Sequence, residues 1–439
     1  MISTNLCIRR VFSVALAATA IGTMALRSSA QAVTPFITSF ASGENPSFGT
    51  LLYDPTANSG SGALIGTTLF GGANSNGDIF SSTLTGHITT LYSFSALGLG
   101  GTNADGATPQ GGVINYGGNY YGTTQSGGTG GFGDIYEYNT TSHSVTDLYN
   151  FLTSSSPTGE LAVDKNGVLY GTTSTGGTFG TGSVFSYATS TSSFTELYDL
   201  GTGVNDGLYP DAGVAVVNNT NGSTTVYGTT NSGGTGSLGQ VYSYNTVTGY
   251  QDVYDFGNIV NDGSGPSGGL VIDGAGNIFG TTNGGGAYSG GTVFEISNTD
   301  TYSQLYSMND VGAGGTGTDG YSPVGTLVDM NGTLLGVNEA GSINGVGDIY
   351  TLTPTYNPLS PYNYADIFSF NGGSNGGTPL TGLTALNSYA FAGTNAGGGD
   401  NGAGVLFVIT PEPGSIATMS IGALSLFGVG FARRRRLRK

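Results

Sequence analysis

Cysteine, histidine, tryptophan and charge are all scarce in this chain of 439 residues: one Cys, two His, no Trp and 8% charged residues. The single cysteine is Cys7, near the N-terminus. The rest of the chain therefore has no disulfide, no thiolate nucleophile and no cysteine metal ligand. Two histidines, His87 and His143, exclude a three-histidine metal centre, and a mononuclear zinc site would need carboxylates for most of its ligands. Both read as exposed turn residues. H-E-x-x-H, a Walker loop and G-x-S-x-G do not occur. Matches to G-x-G-x-x-G arise by chance among 81 glycines and none opens a helix.

Basic residues are confined to the ends. Of ten Lys and Arg, three are Arg9, Arg10 and Arg27, and six fall within residues 433–439. Lys165 is the only base between residues 33 and 410, against 26 of the 27 acids, a net charge of −25. Such a body repels nucleic-acid phosphates and anionic lipid. Its acidity serves solubility or a cationic partner, divalent or polymeric.

The termini read as targeting segments. Arg9 and Arg10 precede an apolar run over residues 11–26, and Ala30-Gln31-Ala32 offers small residues where a signal peptidase reads them, Ala30 and Ala32. This predicts a signal peptide over 1–32 and an exported mature chain. Residues 414–432 form an uncharged run long enough for a transmembrane helix, followed by Arg433, Arg434, Arg435 and Arg436. Positive charge stays cytoplasmic, so the body faces outward. Pro411, Glu412 and Pro413 stand just before the run. The order Pro-Glu-Pro, apolar span, arginine cluster over 411–439 resembles the PEP-CTERM sorting signal. That resemblance implies an exosortase-like enzyme that removes the tail, a membrane-anchored precursor, and a cell-surface or matrix location associated with exopolysaccharide.

Between the ends one unit recurs seven times. Gly-Thr-Thr stands at Gly66, Gly122, Gly171, Gly228 and Gly280, with degraded copies at Gly336 and Gly393. A second marker runs in phase: Pro46, Pro109, Pro157, Pro210, Pro266, Pro323 and Pro379. In the fifth copy, β-branched and aromatic runs at 269–273, 277–282, 292–296 and 302–308 are bounded by Gly, Asn and Asp. They read as strands A to D. Alternation in strand D of the fourth copy predicts that Tyr250, Asp252, Tyr254 and Phe256 share a face. Four antiparallel strands per unit, repeated seven times, predict an all-β, seven-bladed β-propeller over 33–410. The seventh copy has no strand D, whereas Phe36-Ile37-Thr38-Ser39-Phe40 is a D-like strand without a unit. Residues 35–41 are therefore expected to close the last blade. The unit, carried by Leu169-Tyr170-Gly171-Thr172-Thr173 with Gly176-Gly177 and by residues 270–296, resembles the GloVer tandem repeat of exported proteins. The family implies architecture and location, and no established catalysis.

Glu137, Glu196 and Glu295 could be read as acid–base residues for glycan cleavage. They occupy repeat-wide positions, however, and no acid pair that breaks the repeat symmetry stands out. No catalytic residue is assigned. Asp105, Asp206, Asp262 and Asp319, each before a Gly in the loop from D to the next A, form a polar set near the Gly-rich B–C loops. Oxygen ligands suit Ca²⁺; the other reading is turn chemistry, each carboxylate bonding its own loop. The expected function is a non-catalytic surface propeller that binds exopolysaccharide or another envelope component, with an exported glycan hydrolase or lyase as the alternative.

Overall fold

The computed structural model describes residues 34–309, 319–357 and 360–410. The expected signal segment 1–32, the Pro411-Glu412-Pro413 motif, the apolar run 414–432 and Arg433 to Arg436 lie outside the described residues. Among the described residues no helix is long and apolar enough to cross a membrane.

Seven antiparallel blades follow one another along the chain. The second shows the pattern: A, Ile114–Tyr116; B, Asn119–Thr124; C, Asp134–Asn139; D, Ser144–Asn150, hydrogen-bonded in that order from the axis outward. The third and fifth repeat it with inner strands of two residues, Ala162–Val163 and Val271–Ile272. The sixth is the most extended, running from Gly320–Met330 through Ser360–Ser369.

The Gly-Thr-Thr marker has a packing cause. Its glycine lies in strand B directly opposite an aromatic residue of strand C: Gly66 faces Phe80, Gly122 Tyr136, Gly171 Phe185, Gly228 Tyr242, Gly280 Phe294, Gly336 Tyr350 and Gly393 Phe407. The ring lies across the glycine, and a Cβ at any of the seven would approach it closer than 3.0 Å. Only glycine leaves room. The proline marker acts between blades. Pro109, Pro210, Pro266, Pro323 and Pro379 each pack on the glycine that opens strand C of the preceding blade, and Pro46 does so on Gly404 of the last. Those glycines have φ between +91° and +100°, a region costly for any residue with a Cβ.

Strand D departs from simple alternation. Val241 pairs with Tyr254 and the next residue, Tyr242, pairs with Asp252, so Val253 is an extra residue in a β-bulge. The bulge sends Tyr250 and Tyr254 to opposite faces. Tyr250 stacks on Tyr198 of the third blade at 3.9 Å, and Tyr254 on Tyr302 of the fifth at 3.7 Å. The expected common face of Tyr250, Asp252, Tyr254 and Phe256 is thus corrected. The device recurs at the neighbouring seam, where Tyr149 stacks on Phe194 at 3.8 Å.

The core is divided among seven clusters, one at each blade–blade interface. A single four-stranded sheet cannot bury both faces, and radial stacking against two neighbours does so. The ring closes through the N-terminal strand. Thr34–Ser39 pairs antiparallel with Val405–Thr410, in register from Thr34 opposite Thr410 to Ser39 opposite Val405. Phe40 then packs edge-on against Phe80 of the first blade, with centroids 5.2 Å apart.

Candidate binding face and axial channel

The D–A and B–C loops share one end of every blade, and this end is unlike the other. Among the described residues, the exposed large hydrophobic side chains fall almost entirely here, with Phe36, Val247 and Tyr389 the exceptions. The B–C loops of the second to sixth blades present Phe132, Phe179, Leu238, Tyr288 and Ile343 in turn. The D–A loops add Leu99, Val204 and Val260, each close to full exposure. The face thus carries apolar loop tips around an acidic, glycine-rich floor.

The four aspartates do not converge on this face. Each belongs to its own loop and accepts a hydrogen bond from the tyrosine of its own strand D. Tyr92 Oη donates to Asp105 at 2.6 Å, Tyr198 to Asp206 at 3.0 Å, Tyr254 to Asp262 at 2.8 Å and Tyr306 to Asp319 at 2.6 Å. Turn amides of Ser95, Gly203 and Gly257 donate to the first three. Burial, then the neighbouring carboxylate, holds the Tyr92, Tyr254 and Tyr306 phenols well above their usual range, so they remain donors. In the Ca²⁺ candidates Asp105, Asp206, Asp262 and Asp319 the carboxylates thus accept hydrogen bonds from their own strands and turns, the arrangement the turn reading expects. Among the described residues no group of three or more His, Cys, Asp or Glu is placed to hold a metal ion.

The face opens at its centre into an axial channel. A ring of backbone surrounds the mouth, and glycines let neighbouring blades touch there: a Cβ on Gly49 would collide with Gly112, on Gly111 with Gly159, and on Gly325 with Gly382. Three residues after the repeat proline stand Gly49, Gly112, Gly213, Gly269 and Gly382; the third and sixth copies carry Glu160 and Thr326 instead. Glu160 projects into the channel, reaching Gly112 of the second blade and bonding Thr50 of the first. It lines both an outer cavity of about 460 Å³ and an inner one of about 260 Å³. The outer wall mixes apolar and polar groups, the latter including Gln110, Gln125, Asn283 and Asp211. Leucines and valines form most of the inner wall. Desolvation pushes the Glu160 carboxyl up to about 7, against the Thr50 hydrogen bonds that favour its ionised form. Asp211 at the mouth is exposed, and partial desolvation by its surroundings raises it to about 6. Two acids that break the repeat symmetry are therefore present, contrary to the expectation of none. The broken Pro-x-x-Gly pattern was the available signal.

Three further acids open strand C beneath the face. Asp134 and Asp348 are fully buried, and burial first of all raises them to about 8 and about 7. Asp78 is raised in the same way. The two histidines line a groove of about 520 Å³ between the first and second blades, at the opposite end, with Tyr138 Oη 3.0 Å from His143 Nδ1. Glu137, Glu196 and Glu295 stay in separate blades.

No curated protein matches the chain. Among solved structures, an oligogalacturonate lyase from Vibrio parahaemolyticus aligns with TM-score 0.50 and 9% identity, over 88% of this chain and 99% of its own. An oligogalacturonate lyase in complex with manganese aligns at 0.49 and 9%, over 85% and 99%. TolB from Acinetobacter baumannii aligns at 0.38 and 12%, over 73% of this chain and 63% of its own. At such identities these likenesses concern the fold alone. Residues 22–226 match the model of the Gloeobacter/Verrucomicrobia repeat, and the repeats of that segment are similar to that type.

Proposed function

We propose that the chain is an exported, non-catalytic surface propeller that binds an exopolysaccharide or another envelope component through the face bearing the D–A and B–C loops. The observation that carries this reading is the asymmetry of exposed apolar side chains. Loop tips such as Phe132, Phe179 and Tyr288 offer flat rings for stacking, and glycines beside them let backbone amides approach a sugar. Export rests on the Ala30-Gln31-Ala32 site, and surface processing on the Pro411-Glu412-Pro413 motif with its arginine cluster. The test is a glycan array probed with the full-length protein, with and without Ca²⁺. Saturable binding to a glycan class supports the reading, and binding to nothing on the array or to isolated envelope overturns it.

Glu160 favours a second reading, glycoside hydrolysis, because a carboxyl raised to about 7 can act as a general acid, and Asp211 lines the same cavity. Release of reducing ends from a bound glycan, lost in Glu160→Gln, would establish it.

A further inference from the structure

The two ends of the folded ring leave it at one point. Strand C of the seventh blade, Val405–Thr410, runs away from its B–C loop, so Thr410 lies at the end of the disc formed by the A–B and C–D turns. The closing strand runs the other way, and its first residue, Thr34, is paired with Thr410. Partners in an antiparallel ladder have Cα atoms about 4.5–5.5 Å apart. The expected signal-peptide site at Ala30 and Ala32 and the Pro411-Glu412-Pro413 motif therefore both adjoin this point in sequence. It lies opposite the face with the exposed loop tips.

The length of chain beyond Thr410 limits how the disc can sit. Residues 411–413 separate it from the uncharged run 414–432, which is long enough to span a bilayer. Fully extended, the chain from Thr410 to Gly414 reaches at most about 14 Å. The six-residue strand Val405–Thr410 is already about 20 Å long, and the B–C and D–A loops extend beyond it. A tether that short cannot pass along the height of a blade. The disc therefore cannot turn its loop-tip face to a membrane that holds the run.

Side chains at the tethered end agree. Tyr389, in the A–B turn of the seventh blade, and Phe36, in its closing strand, are both exposed, and Val247 is exposed in the C–D turn of the fourth. Tyrosine favours the boundary between water and hydrocarbon. Lys165, the only Lys or Arg between residues 33 and 410, is in the A–B turn of the third blade. His87 and His143 are in the C–D turns of the first and second. Every Lys, Arg and His side chain between residues 33 and 410 thus lies at this end, whereas Asp105, Asp206, Asp262 and Asp319 lie in loops at the other. An anionic membrane surface attracts the first set and repels the second.

We propose that the A–B and C–D end of the propeller is a bilayer-facing surface, so that the anchored chain lies flat on the membrane with its loop-tip face turned away from it. The proposal rests on the anchor reading of residues 414–432 and goes beyond it, because an anchor alone does not say which end of the disc meets the lipid. It does not depend on what the loop tips bind.

Cys7 is the only cysteine of the chain, so single labels are readily placed. The experiment uses the full-length protein with Cys7→Ser, carrying one fluorophore-labelled cysteine at a time. It is reconstituted in phosphatidylcholine–phosphatidylglycerol vesicles with a nitroxide quencher on the lipid headgroup. Val247→Cys and Tyr389→Cys report the tethered end, in the fourth and seventh blades across the ring; Leu99→Cys and Val260→Cys report the loop-tip face. All four positions are exposed, so the labels leave the core intact. The first two labels should be quenched about threefold or more over the other two, since about 20 Å of blade separates the ends and the quencher acts near contact. Equal quenching at all four positions, or stronger quenching at 99 and 260, overturns the proposal. So does quenching confined to 389, the pattern of a disc standing on its edge. Protein that fails to float with the vesicles refutes the anchor reading itself and the proposal with it, whereas protein that floats with the wrong pattern refutes the orientation alone. Glycan binding enters neither readout, so the loop-tip reading stands or falls separately.

Discussion

Replacing Asp134 with Ser should make the fold less sensitive to alkali. Asp134 is fully buried; its Oδ1 accepts from Thr124 Oγ1 at 2.6 Å, and its Oδ2 has no partner. Burial raises its carboxyl from 3.8 to about 8. The folded chain therefore holds this proton where the unfolded chain has lost it. Between about pH 4 and about pH 8, stability falls as pH rises, by ~1.4 kcal/mol per unit for one such proton. Asp348, raised to about 7, contributes a second proton over most of that range. Wild type should therefore lose ~2.7 kcal/mol per unit between about pH 5 and about pH 7 from the two together. The third blade already carries the alternative, a Thr173–Ser183 hydroxyl pair at 3.0 Å in the equivalent position. Asp134→Ser copies it, at a small packing cost of roughly 1 kcal/mol for the lost atoms, and should reduce the slope by ~1.4 kcal/mol per unit. Urea unfolding at several pH values, followed by tyrosine fluorescence in a chain without tryptophan, gives the slope directly. An unchanged slope in the variant, or wild-type stability that increases from about pH 5 to about pH 7, would refute the assignment of a buried neutral acid.

Gly228→Ala should lower stability by about 1–3 kcal/mol, because its methyl would meet the Tyr242 ring; thermal unfolding measures it. Phe40→Ala removes the residue that follows the closing strand and packs on Phe80, and should cost ~3–5 kcal/mol, read as a lower urea midpoint. Intact-mass measurement on exported protein should give a chain that starts at Val33 and ends near Pro413; recovery of Arg433 to Arg436 on surface protein would favour a permanent anchor.

The number of blades was legible because each marker has one physical cause repeated seven times. A ring over Gly171 or Gly228 admits no side chain, so the glycine persists in every copy. Closure was legible because the strand Thr34–Ser39 resembles the outer strands and the seventh copy has none. Strand D misled, since the bulge at Val253 inserts one residue without any trace in hydrophobic alternation and reverses every face beyond it. The aspartates were legible only in part: Asp-Gly before a repeat proline fits a ligand loop and a turn equally well, and the sequence does not show that Tyr92 or Tyr254 stands beside the carboxylate. Glu160 was overlooked because an acid in a loop of an acidic protein is unremarkable until the axis is known. Its significance lies in the five glycines that occupy the same ring elsewhere.

Binding by the loop-tip face is the claim on which the functional reading stands. Its direct test is the affinity of one glycan or envelope fraction for the full-length protein and two variants. One carries Phe132→Ser, Phe179→Ser and Tyr288→Ser; the other carries Val247→Ser and Tyr389→Ser, at exposed positions outside that face. Loss of about tenfold or more in the first variant alone is the predicted result. Equal affinity in all three proteins, or a loss confined to the second variant, would contradict it.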